Sequence, residues 1–124
     1  MNRFKLTLVL FSMLFFACQN KEGQRIKIVD KEDIKSNVIG KNVQLVDVRT
    51  LEEYESGHID NAVNYNIINR DTFLIQIQKL NKNQPVYLYC KMGGRSNRAA
   101  KLLKEQGFEK IFDYSEGYND WVTE

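Results

Sequence analysis

Apolar positions along the chain alternate between short continuous runs and runs at helical spacing. Ile26 to Val29 forms the first brief run, and Asp30 then stands as an N-cap for a helix over Lys31 to about Asn37. Val43 to Val48 is apolar enough for a strand buried on both faces, and it ends at Asp47-Val48-Arg49. Thr50 with Glu53 three residues later is a capping box that starts a short helix, Leu51 to Ser56, which Gly57 stops. Ala62 to Tyr65 predicts another short strand. A longer helix follows from Asp71, with Phe73, Leu74, Ile77 and Leu80 along one side. Pro85 opens the next buried strand, in which Val86, Leu88 and their aromatic neighbours lead to Cys90. From Ser96, the apolar positions Ala99, Leu102 and Leu103 return to helical spacing, with Arg98, Lys101 and Lys104 facing out and Gly107 closing the helix. A last strand near Lys110 to Asp113 and a terminal helical turn carrying Tyr118 and Trp121 complete the series. Short strands alternating with amphipathic helices predict an α/β domain with a mostly parallel sheet. Ligands of such sheets bind beyond the carboxyl ends of the strands, where Cys90, Arg49 and the residues after Tyr65 are expected to gather.

The first 17 residues break this pattern. Arg3 and Lys5 precede a stretch from Leu6 to Ala17 that is mostly apolar, too short to span a bilayer but suited to the apolar part of a secretory signal peptide. It meets Ala17-Cys18, and a small residue before a cysteine at the end of a leader resembles the bacterial lipoprotein signal. The expected organisation is a signal peptide over 1–17, a lipidated Cys18 with a polar tether over 18–24, and one domain over 25–124. Location in the bacterial cell envelope follows, at the periplasmic face through the lipid on Cys18, with a secreted or soluble periplasmic protein as the alternative. Composition changes once the leader is set aside. Eighteen basic residues less Arg3 and Lys5 leaves sixteen against sixteen acidic ones, so the remainder is formally neutral and carries no nucleic-acid footprint. What remains supports one compact core, expected as a monomer.

With Cys18 committed to lipid, Cys90 is the remaining thiol, which excludes a disulfide scaffold, a CxxC pair and a cysteine-rich zinc site. His58 is the single histidine, so no metal and no cofactor is expected. The stretch Cys90-Lys91-Met92-Gly93-Gly94-Arg95-Ser96 carries the chemistry. Gly93 and Gly94 accept positive backbone angles and let successive amides turn inward as a nest for an anion. The following helix aims its N-terminus at the same point, so helix amides, loop amides and the Arg95 guanidinium are all expected to favour negative charge at the sulfur. A free thiol titrates near ~8.5, and such surroundings lower that value by a unit or more. Cys90 is therefore the candidate nucleophile, with Lys91, Met92, Gly93, Gly94, Arg95 and Ser96 as the candidate substrate-binding loop. A buried structural cysteine is the alternative reading of the thiol alone.

Cys90-Lys-Met-Gly93-Gly-Arg95-Ser96 resembles the active-site loop of the rhodanese-like sulfurtransferases, Cys-x-x-Gly-x-Arg-Ser. Asp47-Val-Arg49, Glu53-Tyr54, Gly57-His58-Ile59 and Ala62 resemble a second signature of that family, and Glu116-Gly117 to Trp121 is similar to its closing Gly-Gly-x-x-x-Trp with Glu116 in place of one glycine. The resemblance implies a three-layer domain with a five-stranded sheet flanked by helices. It also implies sulfur transfer, in which Cys90 takes sulfane sulfur from thiosulfate or a persulfide and passes it to cyanide, a thiol or a protein. Asp47 and Arg49 are read as structural support, an ion pair anchoring the loop after their strand, and His58 as a residue of a turn. Tyr118 and Trp121 are read as packing residues. Lys91 can attract an anionic donor, whereas Met92 stands where relatives that favour thiosulfate often carry a second basic residue. Two rivals remain. One is a rhodanese-like sulfur-carrier or binding module. The other is a cysteine-based phosphatase, disfavoured because Tyr89 precedes Cys90 and only Lys91 to Gly94 separate it from Arg95.

Overall fold

The computed structural model describes residues 26–124. The leader, Cys18 and the tether lie outside the described residues. Eleven elements follow in order: β1 Ile26–Ile28, α1 Lys31–Asn37, β2 Gln44–Asp47, α2 Leu51–Ser56, β3 Val63–Asn64, α3 Arg70–Gln76 with a 3-10 turn Ile77–Lys79, β4 Val86–Tyr89, α4 Gly94–Glu105, β5 Ile111–Tyr114 and α5 Gly117–Trp121. The strands form one sheet in the order β1-β5-β4-β2-β3, and every pairing is parallel. β4 lies at its centre, bonded to β2 on one side and β5 on the other, so Cys90 leaves the sheet at its middle.

Alternation along the strands separates two apolar layers. Val46, Val86, Leu88 and Ile111 face Phe73, Ile77, Ala99, Ala100 and Leu103 of α3, its 3-10 turn and α4. Leu45, Tyr87, Tyr89 and Tyr114 face Ile34 and Val38 on the other side, joined by Tyr54, Tyr118 and Trp121. Helices thus cover both faces, the arrangement a fully parallel sheet requires. Phe73 and Phe108 are fully buried, and truncating such a residue to alanine costs roughly 3–5 kcal/mol.

Asp30 and Thr50 each accept the amide of the residue three positions on, and Asp33 and Glu53 close the two capping boxes in return. Two boundaries differ from expectation. The helix expected from Asp71 begins at Arg70 under an Asn69 cap and, after seven residues, tightens into the 3-10 turn. The helix expected from Ser96 begins two residues earlier, at Gly94, because Gly93 adopts φ 103° and turns the chain directly into the helix. A side chain at Gly93 would collide with the Ser115 carbonyl oxygen. That early start decides which α4 residues reach the thiol.

Candidate active site

Cys90 directly follows β4, fully buried but for a 1 % exposed edge, and its sulfur accepts the Gly93 amide at 3.0 Å. Burial pushes the thiol up. The Ser96 amide and hydroxyl and the amides of Gly93 and Met92 outweigh it, and the net value falls below that of an ordinary cysteine. The surroundings thus favour the thiolate more than those of an ordinary cysteine do. Ser96 itself is fully buried in the first turn of α4, where its hydroxyl donates to the Gly93 carbonyl at 3.1 Å. It therefore supports the sulfur from beneath, rather than facing the opening. The loop's own carbonyls are held from the far side, since Tyr118 N–H donates to Cys90 O at 2.8 Å and Asn119 N–H to Lys91 O at 3.2 Å. Gly117, at φ 69°, permits this approach, because an added Cβ would stand 2.6 Å from both carbonyl oxygens.

Above the thiol lies an open cavity of about 340 Å³ lined by Cys90, Lys91, Met92, Gly94, Arg95 and Arg98. Four of the expected loop residues beside Cys90 line it, and Gly93 and Ser96 serve from below. Arg98 went unrecognised in the sequence. Helical spacing places it on the exposed face, where it lies, but Gly94 and Arg98 are one helical turn apart and share the face above the sulfur. A larger cavity of about 580 Å³, lined by Asn42 to Gln44, Asn81, Gln84 and Pro85, sits at the other end of β2 and β4 and holds no nucleophile.

Arg95 departs from expectation. Its guanidinium is clasped by Glu53, at 2.6 Å and 3.0 Å, and this partner holds it above the usual arginine value. In turn, Arg95 holds the Glu53 carboxyl down at about 2. Much of the positive charge expected at the sulfur is thus spent on α2, and thiolate stabilisation falls to the amides and Ser96. Glu53 was legible as a cap; its second duty, across 42 positions of sequence, was not.

Arg49 also stands elsewhere. It is buried and clasps Asp47, with its Nη2 2.6 Å from an Asp47 oxygen and 2.6 Å from the Gly57 carbonyl, and its carbon lies 4.1 Å from the Tyr118 ring centre. The expected ion pair forms and ties β2 to the end of α2, while Arg49 lines no part of the thiol cavity. His58 stacks on Tyr54 with ring centres 4.0 Å apart, its Nδ1 3.1 Å from Tyr54 O, within the turn. Residues after Tyr65 do approach the site, but Ile67 and Ile68 line a neighbouring cavity.

Asp113 is a group the sequence reading passed over. It is fully buried beside Leu88 in the sheet, both oxygens lack a hydrogen-bond partner among the described residues, and burial pushes its carboxyl up. An acid inside the run Ile111-Phe112-Asp113-Tyr114 was the available signal. Among the described residues, no three of His, Cys, Asp and Glu cluster closely enough to hold a metal ion, and no helix is long and apolar enough to cross a membrane.

Comparison with known proteins places this geometry. Residues 30–124 match the family model of the rhodanese-like domain. A putative sulfur carrier protein of Bacillus subtilis, YrkF, is 35% identical over 81 residues, 65% of this chain and 42% of that protein. Thiosulfate sulfurtransferase GlpE of Shewanella oneidensis is 36% identical over 81 residues, 65% of this chain and 77% of that enzyme. The solved structure of a rhodanese-like domain protein from Staphylococcus aureus superposes with a TM-score of 0.69 at 31% identity, covering 80% of this chain and 94% of that one.

Proposed function

The chain belongs to the rhodanese-like family, and on that premise we propose that it is a sulfurtransferase working through a persulfide on Cys90. One observation carries the reading: a buried sulfur that accepts an amide at 3.0 Å and titrates below its ordinary range, at the floor of an open cavity. The Cys90 thiolate attacks the outer sulfur of a donor. A new S–S bond forms at Cys90 as the donor's S–S bond breaks, and the leaving group, sulfite from thiosulfate or a thiolate from a persulfide, departs with the electron pair. The negative end of the Cys90 persulfide lies within the loop, where Arg98 and Lys91 add positive charge at the cavity wall. An acceptor such as cyanide then attacks the terminal sulfur and Cys90 leaves as a thiolate. The donors around the sulfur ease loss of its proton, which lessens the need for a neighbouring base.

The second reading, a sulfur carrier whose partner completes the reaction, is favoured by the similarity to YrkF. Both are tested by incubating the full chain and Cys90→Ser with thiosulfate or glutathione persulfide, then adding cyanide. Cys90-dependent thiocyanate and one added sulfur by intact mass are expected of the enzyme. A loaded Cys90 that cyanide discharges no faster than a free persulfide would favour the carrier, and no loading from either donor refutes both. The Ala17-Cys18 junction further leads us to propose a lipid-anchored mature form. Mass spectrometry of the native protein should find an acylated N-terminal Cys18, and an intact Met1 terminus would remove the claim.

A further inference from the structure

A second cavity of about 400 Å³ adjoins the thiol cavity, lined by Ile67, Ile68, Arg70, Arg98, Lys101 and Leu102. Arg98 lines both, so the two form one groove running from Cys90 across α4 to the start of α3. Its chemistry is one-sided. No acid lines either part, and Lys91, Arg70, Arg98 and Lys101 form no ion pair among the described residues, whereas Arg49 and Arg95 are matched by Asp47 and Glu53. From Thr72 to Lys104 the sequence holds seven basic residues and no acid, although the chain after its leader is formally neutral. Apolar side chains stand in the open at both ends, Ile68 at 64% exposure in the outer part and Met92 at 72% beside the thiol. A small donor anion occupies only the inner cavity and leaves Ile68 and the open edge of half-buried Leu102 wet. An occupant that covers them must be larger, negatively charged and partly apolar.

We propose that this groove docks an acidic segment of a partner protein that presents a cysteine to Cys90. This rests on the sulfurtransferase reading and names its exchange partner. Acidic side chains of the segment meet Arg70, Arg98 and Lys101, an apolar side chain rests on Ile68 and Leu102, and the partner's thiol enters above Cys90. Having lost its proton to water, that thiol attacks the terminal sulfur of the Cys90 persulfide. The partner gains a persulfide and Cys90 departs as a thiolate with the electron pair.

The test loads the full chain with sulfur at Cys90 and offers three acceptors: cyanide, a cysteine-terminated peptide of Asp, Glu and Leu, and a peptide of the same length with Lys replacing the acids. The acidic peptide should exceed the basic one in kcat/KM by about tenfold or more, chiefly through KM, and added salt should shrink the gap. Arg70 and Lys101 are exposed, so R70E/K101E should fold and should lower the acidic-to-basic ratio by a similar factor beyond any change in the cyanide rate. Equal use of the two peptides, a ratio unmoved by the charge reversal, or binding to phosphatidylglycerol vesicles without peptide discrimination overturns the docking proposal. Failure of Cys90 to load sulfur overturns the sulfurtransferase reading itself, whereas normal thiocyanate formation without peptide discrimination sinks only the docking.

Discussion

Ser96→Ala isolates the hydroxyl that lies beneath the sulfur. Ser96 is fully buried, and its hydroxyl and amide head the donors that draw the Cys90 thiol down against the cost of burial. A hydrogen bond to a charged group is worth about 1.5–3 kcal/mol, or one to two pKa units. The Ser96 hydroxyl has a single proton, directed at the Gly93 carbonyl at 3.1 Å, so the sulfur receives only a share of it and the expected rise is at the low end, about one unit. The consequence for rate is smaller than for charge. At a pH below both values the thiolate fraction falls about tenfold, but each thiolate gains about threefold in nucleophilicity from its higher basicity. Alkylation by iodoacetamide should therefore slow about threefold at low pH, quicken about threefold at high pH, and the two profiles should cross. Arg95→Ala should move the profile less, because its guanidinium is already committed to Glu53. Superimposable profiles for wild type and Ser96→Ala would refute the assignment, and a uniform loss at every pH would mean that the loop has collapsed.

Two buried or half-buried carboxyls should shape stability in opposite directions. Arg95 holds Glu53 at about 2, below its unfolded value, so its stabilisation is present above the ordinary carboxylate range and lost as pH falls towards 2. Glu53→Gln should cost about 1–2 kcal/mol at neutral pH, a figure reduced for the pair's partial exposure, and urea titrations should show the difference closing in acid; a constant difference would contradict the pairing. Asp113, raised by burial, contributes its full stability below the unfolded carboxylate value and loses it as pH rises through the folded one. Asp113→Asn should accordingly raise the urea midpoint at neutral pH with a gain that vanishes in acid, and a gain independent of pH would rule out ionisation as its cause.

Much of the domain was legible in local sequence. Asp30 and Thr50 declared their helices because a capping box is complete within four residues, and Pro85 to Cys90 declared a central strand because every side chain in it is apolar or aromatic. The Cys90 loop was legible because its glycines serve backbone geometry, which local sequence encodes. Charge pairing across the fold was not. Nothing in the order of residues tells Arg95 that Glu53, already a cap, will reach it from α2, and so the guanidinium was assigned to the sulfur. Arg98 was placed on the right side of its helix, but only the start at Gly94 reveals that this side roofs the thiol. Asp113 escaped notice because strand periodicity reports which face a residue takes and is silent on whether a partner waits there.

The carbonyls of Cys90 and Lys91 are fastened by the amides of Tyr118 and Asn119, main chain to main chain. Neither bond depends on what side chain stands at position 91 or 92. The position of the Cys90 sulfur is therefore insulated from the two residues that frame the cavity mouth, and Lys91 and Met92 are free to vary under selection without displacing it. On the proposed sulfurtransferase reading, a lineage built on this scaffold can trade one donor for another by single substitutions at the rim, each step leaving the Cys90 sulfur where it stood, and a protein engineer can follow the same route.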